Sequence, residues 1–316
     1  MNEYQIERIR EYGNLTLNSS FKELTTIRIG GQALGLFHPN SILSLQAMIR
    51  FCKKEGLNYY VLGNGSNILA TDDPYPGIII KLSREFNEVY AINDIAFEVH
   101  AGASLIVLSH KARKLGLSGL EWASGIPASI GGATYMNAGA YKSCMADIIT
   151  EVCVLKEDQV EWMPVEACNF SYRHSIFREH PDWIIIAIRI KLEKGTAQEI
   201  EELMSQRQQR RLASQPLQSP SFGSTFRNPG QHLAWQLIDQ CQYRGYQIGG
   251  AQVSEKHTNF LINANQASFE DMYRLITAIQ EKVKEVFQVE LLLEVEILNG
   301  PDKSRSDEQS TEINSR

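Results

Sequence analysis

The sequence predicts a soluble α+β protein of two domains, and three observations carry that expectation. The chain has 316 residues, 43% hydrophobic and 22% charged, which is an ordinary globular composition with enough apolar material for a large core. Strand and helix patterns are mixed along it, with no internal repeat. A Ser/Gln/Pro-rich segment at 214–221 follows a long polar helix and marks a boundary before a smaller C-terminal domain.

Leu45, Met48, Ile49 and Cys52 recur at i, i+3, i+4, i+7 and predict a helix over 41–55, stopped by Gly56. Tyr59-Tyr60-Val61-Leu62 reads as a strand that runs into Gly63-Asn64-Gly65-Ser66-Asn67. Gly77–Ile80 and Phe97–His100 are further strands, and residues 104–115 a helix ended by Gly116. From Gly119 to Tyr141 the chain is rich in Gly, Ala and Ser, a composition that lets backbone approach something closely. Ile184–Leu192 is the clearest strand, with Ile186, Ile188, Ile190 and Leu192 alternating against Ala187, Arg189 and Lys191. Thr196-Ala197-Gln198-Glu199 fits a capping box and opens a helix to about residue 212 that carries Arg207, Arg210 and Arg211. Helices follow near 232–241 and 269–287, the second with Met272, Leu275, Ile276, Ile279 and Val283 on one stripe, then a last strand from Glu290 to Leu298. Residues 301–316 are polar and predict a disordered tail.

The net charge of −6 and pI near 5.7 argue against nucleic acid as a partner. Cys52, Cys144, Cys153, Cys168 and Cys241 are odd in number and lack CxxC spacing, against a disulfide framework or a cysteine-built metal site. The N-terminus lacks a basic segment followed by an apolar run, so no signal peptide is expected. The longest strongly apolar stretch, Trp183–Ile190, is too short for a bilayer. The expected compartment is the cytoplasm.

Several segments could carry chemistry, each with a plainer alternative. Gly63–Asn67 after a strand offers backbone N–H groups to a phosphate, or is a tight turn. It is neither a Rossmann nor a Walker loop. Gly125-Ile126-Pro127-Ala128-Ser129-Ile130-Gly131-Gly132-Ala133, with Asn137-Ala138-Gly139-Ala140-Tyr141 after it, could face a second diphosphate or be a close crossing of two segments. In Tyr172-Arg173-His174 the arginine could clamp an anion or stack on Tyr172 at the surface. Gly223-Ser224-Thr225-Phe226-Arg227-Asn228-Pro229 holds a serine in a turn, without a GxSxG elbow. On the last strand Glu294 and Glu296 share one face. Burial there would raise a carboxyl pKa and suit it to acid work; solvation on an outer face is the reading the strand alone favours.

Taken in order, and with Thr26–Gly31 and Lys256-His257-Thr258-Asn259-Phe260, these segments resemble the UDP-N-acetylenolpyruvoylglucosamine reductase (MurB) family from about residue 20 to residue 300. Leu120 to Tyr141 is the longest and most specific block. The resemblance implies an α+β fold: a two-lobed FAD-binding domain of the vanillyl-alcohol oxidase-like type over 1–213 (lobes about 1–80 and 81–213), and a smaller α+β C-terminal substrate-binding domain over 214–300. It implies NADPH-dependent reduction of UDP-N-acetylglucosamine enolpyruvate to UDP-N-acetylmuramate in peptidoglycan precursor synthesis, by a monomer without metal. FAD contacts would come from Leu62, Gly63, Asn64, Gly65, Ser66, Asn67, Ile68, Gly125, Ile126, Pro127, Ser129, Ile130, Gly131, Ala133, Asn137, Ala138 and Gly139. Gln32 follows Gly30-Gly31, where related oxidases carry a flavin-linking histidine, so FAD is expected to be non-covalent.

By motif, Ser224 corresponds to the proton donor, and Arg173 and Glu294 to the pair beside the substrate carboxylate, with Glu296 as the fallback for Glu294. Tyr172, Arg227, Asn228 and Asn259 correspond to substrate-binding positions. A lysine that usually meets the substrate diphosphate is replaced by Ser214, with Arg210 or Arg211 as the candidate substitute. The Tyr-Arg motif leads directly to strand 183–192, the shorter family form without the extra tyrosine-bearing loop. The rivals are a flavin oxidase of the same wider fold and a UDP-sugar- or flavin-binding protein without catalysis.

Overall fold

The computed structural model describes residues 1–300; the tail expected over 301–316 lies outside the described residues. In the first lobe, Ser41 caps the helix Ile42–Glu55, whose Leu45, Met48, Ile49 and Cys52 all turn inward. They pack over a four-stranded sheet in the order Gly13–Leu17, Ala33–Pro39, Tyr75–Ile80, Asn58–Val61. Ile78, Ile79 and Ile80 are all fully buried, as expected of a strand with parallel neighbours on both sides and both faces covered.

The second lobe is a five-stranded antiparallel sheet in the order Gln159–Pro164, Ile149–Lys156, Ile184–Lys191, Ala96–His100, Val89–Ala91. The alternation expected at 184–192 holds only from Arg189 on, because Ala187 is also buried. The short helix Ile130–Tyr135 packs against strand Ile184–Lys191. One apolar core runs through both lobes. The polar helix Ala197–Ser214 is capped by the Thr196 hydroxyl, which accepts from Glu199 N; the Glu199 carboxylate takes the Thr196 hydroxyl rather than its N–H, so only half of the capping box forms.

The C-terminal sheet is ordered Ser221–Ser224, Phe260–Asn263, Ala251–Val253, Gln247–Ile248, and is backed by the helix Phe269–Phe287. The helix expected near 232–241 is shorter, Ala234–Gln240, because Asn228 Oδ1 accepts from Ala234 N and fixes its first turn there. The core of this region takes Ile27, Ile29 and Leu69 from the first lobe. The last strand also differs from expectation. Only Glu296–Leu298 is regular, paired in parallel with Ile68–Ala70 of the first lobe. Just before it, Leu293 bridges Phe226, and the N–H groups of Glu294 and Val295 both point at the Thr225 carbonyl, at 2.8 and 3.5 Å. The chain changes partner there, which breaks the strand.

All five cysteines are free. Among the described residues no helix is long and apolar enough to cross a membrane.

Candidate active site

A cavity of about 1290 Å³ lies where the two lobes and the C-terminal region meet. That exceeds the usual ligand pocket and suits something as large as a dinucleotide. One wall is backbone. Leu62 through Ile68 all line it, as do Gly125, Ile126, Pro127, Ser129, Gly131, Ala133, Ala138 and Gly139. The two glycine-rich segments touch: a side chain on Gly63 would begin 2.6 Å from Ser129 Oγ. Gly65 is left-handed (φ 64°), and a Cβ there would collide with the Leu24 carbonyl.

The two segments use their amides differently. Among the described residues, the N–H groups of Gly63, Asn64, Gly65, Ser66 and Asn67 have no protein acceptor. In the second segment Ile126, Ala128, Ile130, Gly131 and Ala133 already donate to backbone carbonyls, and Gly132 to Ser129 Oγ. Both readings offered by the sequence therefore apply, but to different segments. The first keeps donors free for an anion, and the second is a close-packed crossing. Ile130 is fully buried behind the wall, and Asn137 is spent on Ser171 O and Ala146 N. Neither lines the cavity; both support the wall from behind.

The other wall is charged. Arg173 Nε donates to Glu294 Oε1 at 2.7 Å, and Nη2 donates to the Gly139 carbonyl at 2.8 Å. The guanidinium also lies 5.2 Å from the Tyr172 ring centroid, so it stacks there while it is paired to Glu294. The side chains of Arg173 and Glu294 are only 18% and 16% exposed. The solvated outer face favoured for Glu294 and Glu296 is thereby corrected: the strand of 296–298 is inserted between lobe and C-terminal region, which turns both carboxylates into the cavity. Glu294 is further fixed by Asn67, whose Nδ2 donates to the Glu294 carbonyl at 2.9 Å.

Ser224 ends the strand Ser221–Ser224 after left-handed Gly223 (φ 81°) and lines the same cavity, its hydroxyl without a protein partner among the described residues. The turn beyond it is pinned by Asn259: its Oδ1 accepts from Phe226 N at 3.0 Å and its Nδ2 donates to Phe226 O at 2.9 Å. Asn259 is buried, is not among the residues lining the cavity, and positions the serine turn. Tyr172, Arg227 and Asn228 also stand off the cavity wall. The Tyr172 hydroxyl accepts from Asn228 N at 3.5 Å, and Arg227 N donates to Leu292 O at 2.9 Å.

Of the two arginines offered in place of a lysine at Ser214, Arg211 lines the cavity and Arg210 does not. Arg211 lies against Gly125, its Nε is buried without a protein partner among the described residues, and burial pulls its pKa below the ordinary value. Gln215 Oε1 nearby is likewise buried and unpaired. Buried polar atoms left open beside a cavity mark where a polar ligand would fit. The chain passes from Arg173 through the short helix Ile176–Glu179 directly to strand Ile184–Lys191, with no inserted loop.

A second, largely buried pair joins Arg178 to Glu296, which no local motif links. Arg178 Nε faces Glu296 Oε1 at 3.4 Å, and the Tyr60 hydroxyl donates to Glu296 Oε2 at 3.3 Å. Burial raises the Glu296 carboxyl above its ordinary range, opposed by Arg178 and by hydrogen bonds from Tyr60 and Tyr135. Arg178 follows the Tyr-Arg motif by five residues, and Tyr60 sits in a strand; neither spacing carries a signal.

Comparison with known proteins matches residues 215–298 to "UDP-N-acetylenolpyruvoylglucosamine reductase, C-terminal domain" and residues 33–159 to "FAD binding domain". The UDP-N-acetylenolpyruvoylglucosamine reductase of Caldanaerobacter subterraneus subsp. tengcongensis is 41% identical over 295 residues, covering 93% of this chain and 97% of that protein. The protein of the same name from Bacillus subtilis is 37% identical, covering 92% and 96%. The crystal structure of the Thermus caldophilus UDP-N-acetylenolpyruvylglucosamine reductase superposes with a TM-score of 0.76 at 33% identity, covering 90% of this chain and 98% of that one.

Proposed function

The chain belongs to the UDP-N-acetylenolpyruvoylglucosamine reductase family, and we propose on that premise that it reduces UDP-N-acetylglucosamine enolpyruvate to UDP-N-acetylmuramate with NADPH, through FAD. The observation that carries the reading is the Arg173–Glu294 pair with Ser224 on one cavity whose other wall is glycine-rich backbone with unspent amides. Free N–H groups at 63–67 and the buried open donor of Arg211 fit a diphosphate. Gln32 does not line the cavity, in keeping with non-covalent FAD. When bound, FAD supplies the hydride relay between NADPH and the substrate.

The protein's own part is electrostatic and protonic. Hydride arriving at C3 of the enolpyruvyl group leaves negative charge at C2 that spreads into the carboxylate. Arg173, held by Glu294 and Gly139, presents fixed positive charge to that enolate. The Ser224 hydroxyl then delivers a proton to C2, and the alkoxide left behind is reprotonated from solvent. A serine is a weak acid; it serves because a carbanion-like C2 is a strong base. Residues 1–213, in lobes of about 1–80 and 81–213, hold FAD, and 214–300 takes the UDP-sugar. The enzyme works as a cytoplasmic monomer.

The test is optical. Purified protein should be yellow, bleach with NADPH without air, and regain colour with UDP-N-acetylglucosamine enolpyruvate. Recovery with oxygen alone would move the assignment to an oxidase. A protein that cannot be reconstituted with FAD would remove it.

A further inference from the structure

Arg173 adopts a left-handed backbone (φ 57°), unusual for a residue with a long side chain. Something must hold it there, because relaxation of that backbone would swing the guanidinium away from Glu294. Arg178 does so directly: its Nη1 donates to the Arg173 carbonyl at 3.1 Å. Arg178 is itself aimed by Glu296, whose other oxygen is held by Tyr60. Glu296 N donates to Asn67 O at 3.0 Å, on the residue that also holds the Glu294 carbonyl. Both charges are largely out of water, at 22% and 21% side-chain exposure. Buried ion pairs of this sort add little stability and are better explained by the geometry they enforce.

We propose that Arg178 and Glu296 form a positioning pair that locks the backbone of Arg173 and so aims its guanidinium at Glu294 and the substrate carboxylate. The proposal rests on the reductase reading for the kinetic effect, though not for the geometry. Arg178 does not line the cavity; it acts through Arg173.

Arg178→Met keeps the length and removes the donors. It should slow flavin reoxidation by the enolpyruvyl sugar roughly 100-fold, the usual cost of displacing a reacting group by an ångström. Flavin reduction by NADPH and FAD content should stay within about twofold. Arg178→Lys, which keeps a donor and the charge, should recover most of the rate. The double variant R173A/R178M should be no slower than R173A, because both changes remove one function. The Arg173 Nε–H NMR resonance, set by its bond to Glu294, should move in R178M and return in R178K. An R178M enzyme within about twofold of wild type, losses that multiply in the double variant, or an unmoved resonance would each overturn the pair's role. If R178M fails to fold, Glu296→Gln, which leaves Arg178 present but unaimed, is judged by the same rates and the same resonance. If the resonance moves as expected but wild-type flavin is not reoxidised by the sugar, the positioning stands and the reductase reading falls.

Discussion

The two walls of the cavity are made in opposite ways. The wall of residues 62–68 and 125–139 is defined by side chains that are missing, so that backbone meets backbone and leaves amides free at 63–67. The wall of Arg173, Ser224 and Glu294 is defined by side chains from three distant segments, each held by neighbours: Arg173 by Arg178 and Gly139, the turn of Ser224 by Asn259, and Glu294 by Asn67. On the proposed function the first wall binds and the second reacts. Damage to the first should empty the site, and damage to the second should leave it filled but slow.

Ser224→Ala gives the sharpest cut. It should keep FAD and its reduction by NADPH, while the second half-reaction slows about 10²–10⁴-fold. Stopped flow separates the two steps, and equal loss in both would dissolve the distinction between walls. Next comes Gly65→Ala, which drives a methyl group into the Leu24 carbonyl at a left-handed position. Overpacking of about 1–3 kcal/mol predicts FAD binding weaker by roughly 10- to 100-fold, read from the ratio of flavin to protein absorbance. Gly132→Ala is the control: a Cβ there meets Ser129 Oγ at 3.3 Å and Gly63 Cα at 4.0 Å, with no collision against backbone, and FAD should stay. The reverse pattern would break the comparison.

Arg211 sits between the walls and tells which side it serves. Loss of a charge-assisted bond of about 1.5–3 kcal/mol in Arg211→Gln should raise the KM for the UDP-sugar by roughly 10- to 100-fold with FAD retained. Loss of FAD instead would assign Arg211 to the backbone wall. Asn259→Ala removes two hydrogen bonds to Phe226 and should cost about 1–3 kcal/mol in urea unfolding, with kcat lowered through the Ser224 turn. An unchanged midpoint would mean water replaces the amide.

The smallest effect is one of pH. Burial, and then Arg244, push the His257 imidazole below its ordinary value of 6.5. The depressed group is neutral in the fold, whereas the unfolded chain takes up a proton as pH falls through 6.5. Stability should therefore decline below that pH until the folded value is passed. His257→Gln should flatten the melting temperature across that window, and an identical slope would exclude His257 as the cause.

Much of the backbone wall was legible beforehand, because a run of glycine, alanine and serine marks a close approach of backbone, although not whether a ligand or another segment is what it approaches. The helix stripes at 42–55 and 269–287 were legible for a related reason: local periodicity is written in local sequence. The charged wall was legible only through the resemblance of ordered motifs. From the last strand alone, Glu294 and Glu296 favoured solvent, since alternation gives two faces without saying which one meets protein.

The sequence by itself determined the α+β class, the family, and which short segments could accept a flavin or a sugar nucleotide. Only the tertiary structure decided that the amides of 125–133 are mostly spent, that Asn259 pins the turn of Ser224, and that Arg178 and Glu296 stand behind Arg173. The reason is physical. A hydrogen bond between residues 118 positions apart depends on how the lobes and the C-terminal region pack, and no local pattern encodes that distance.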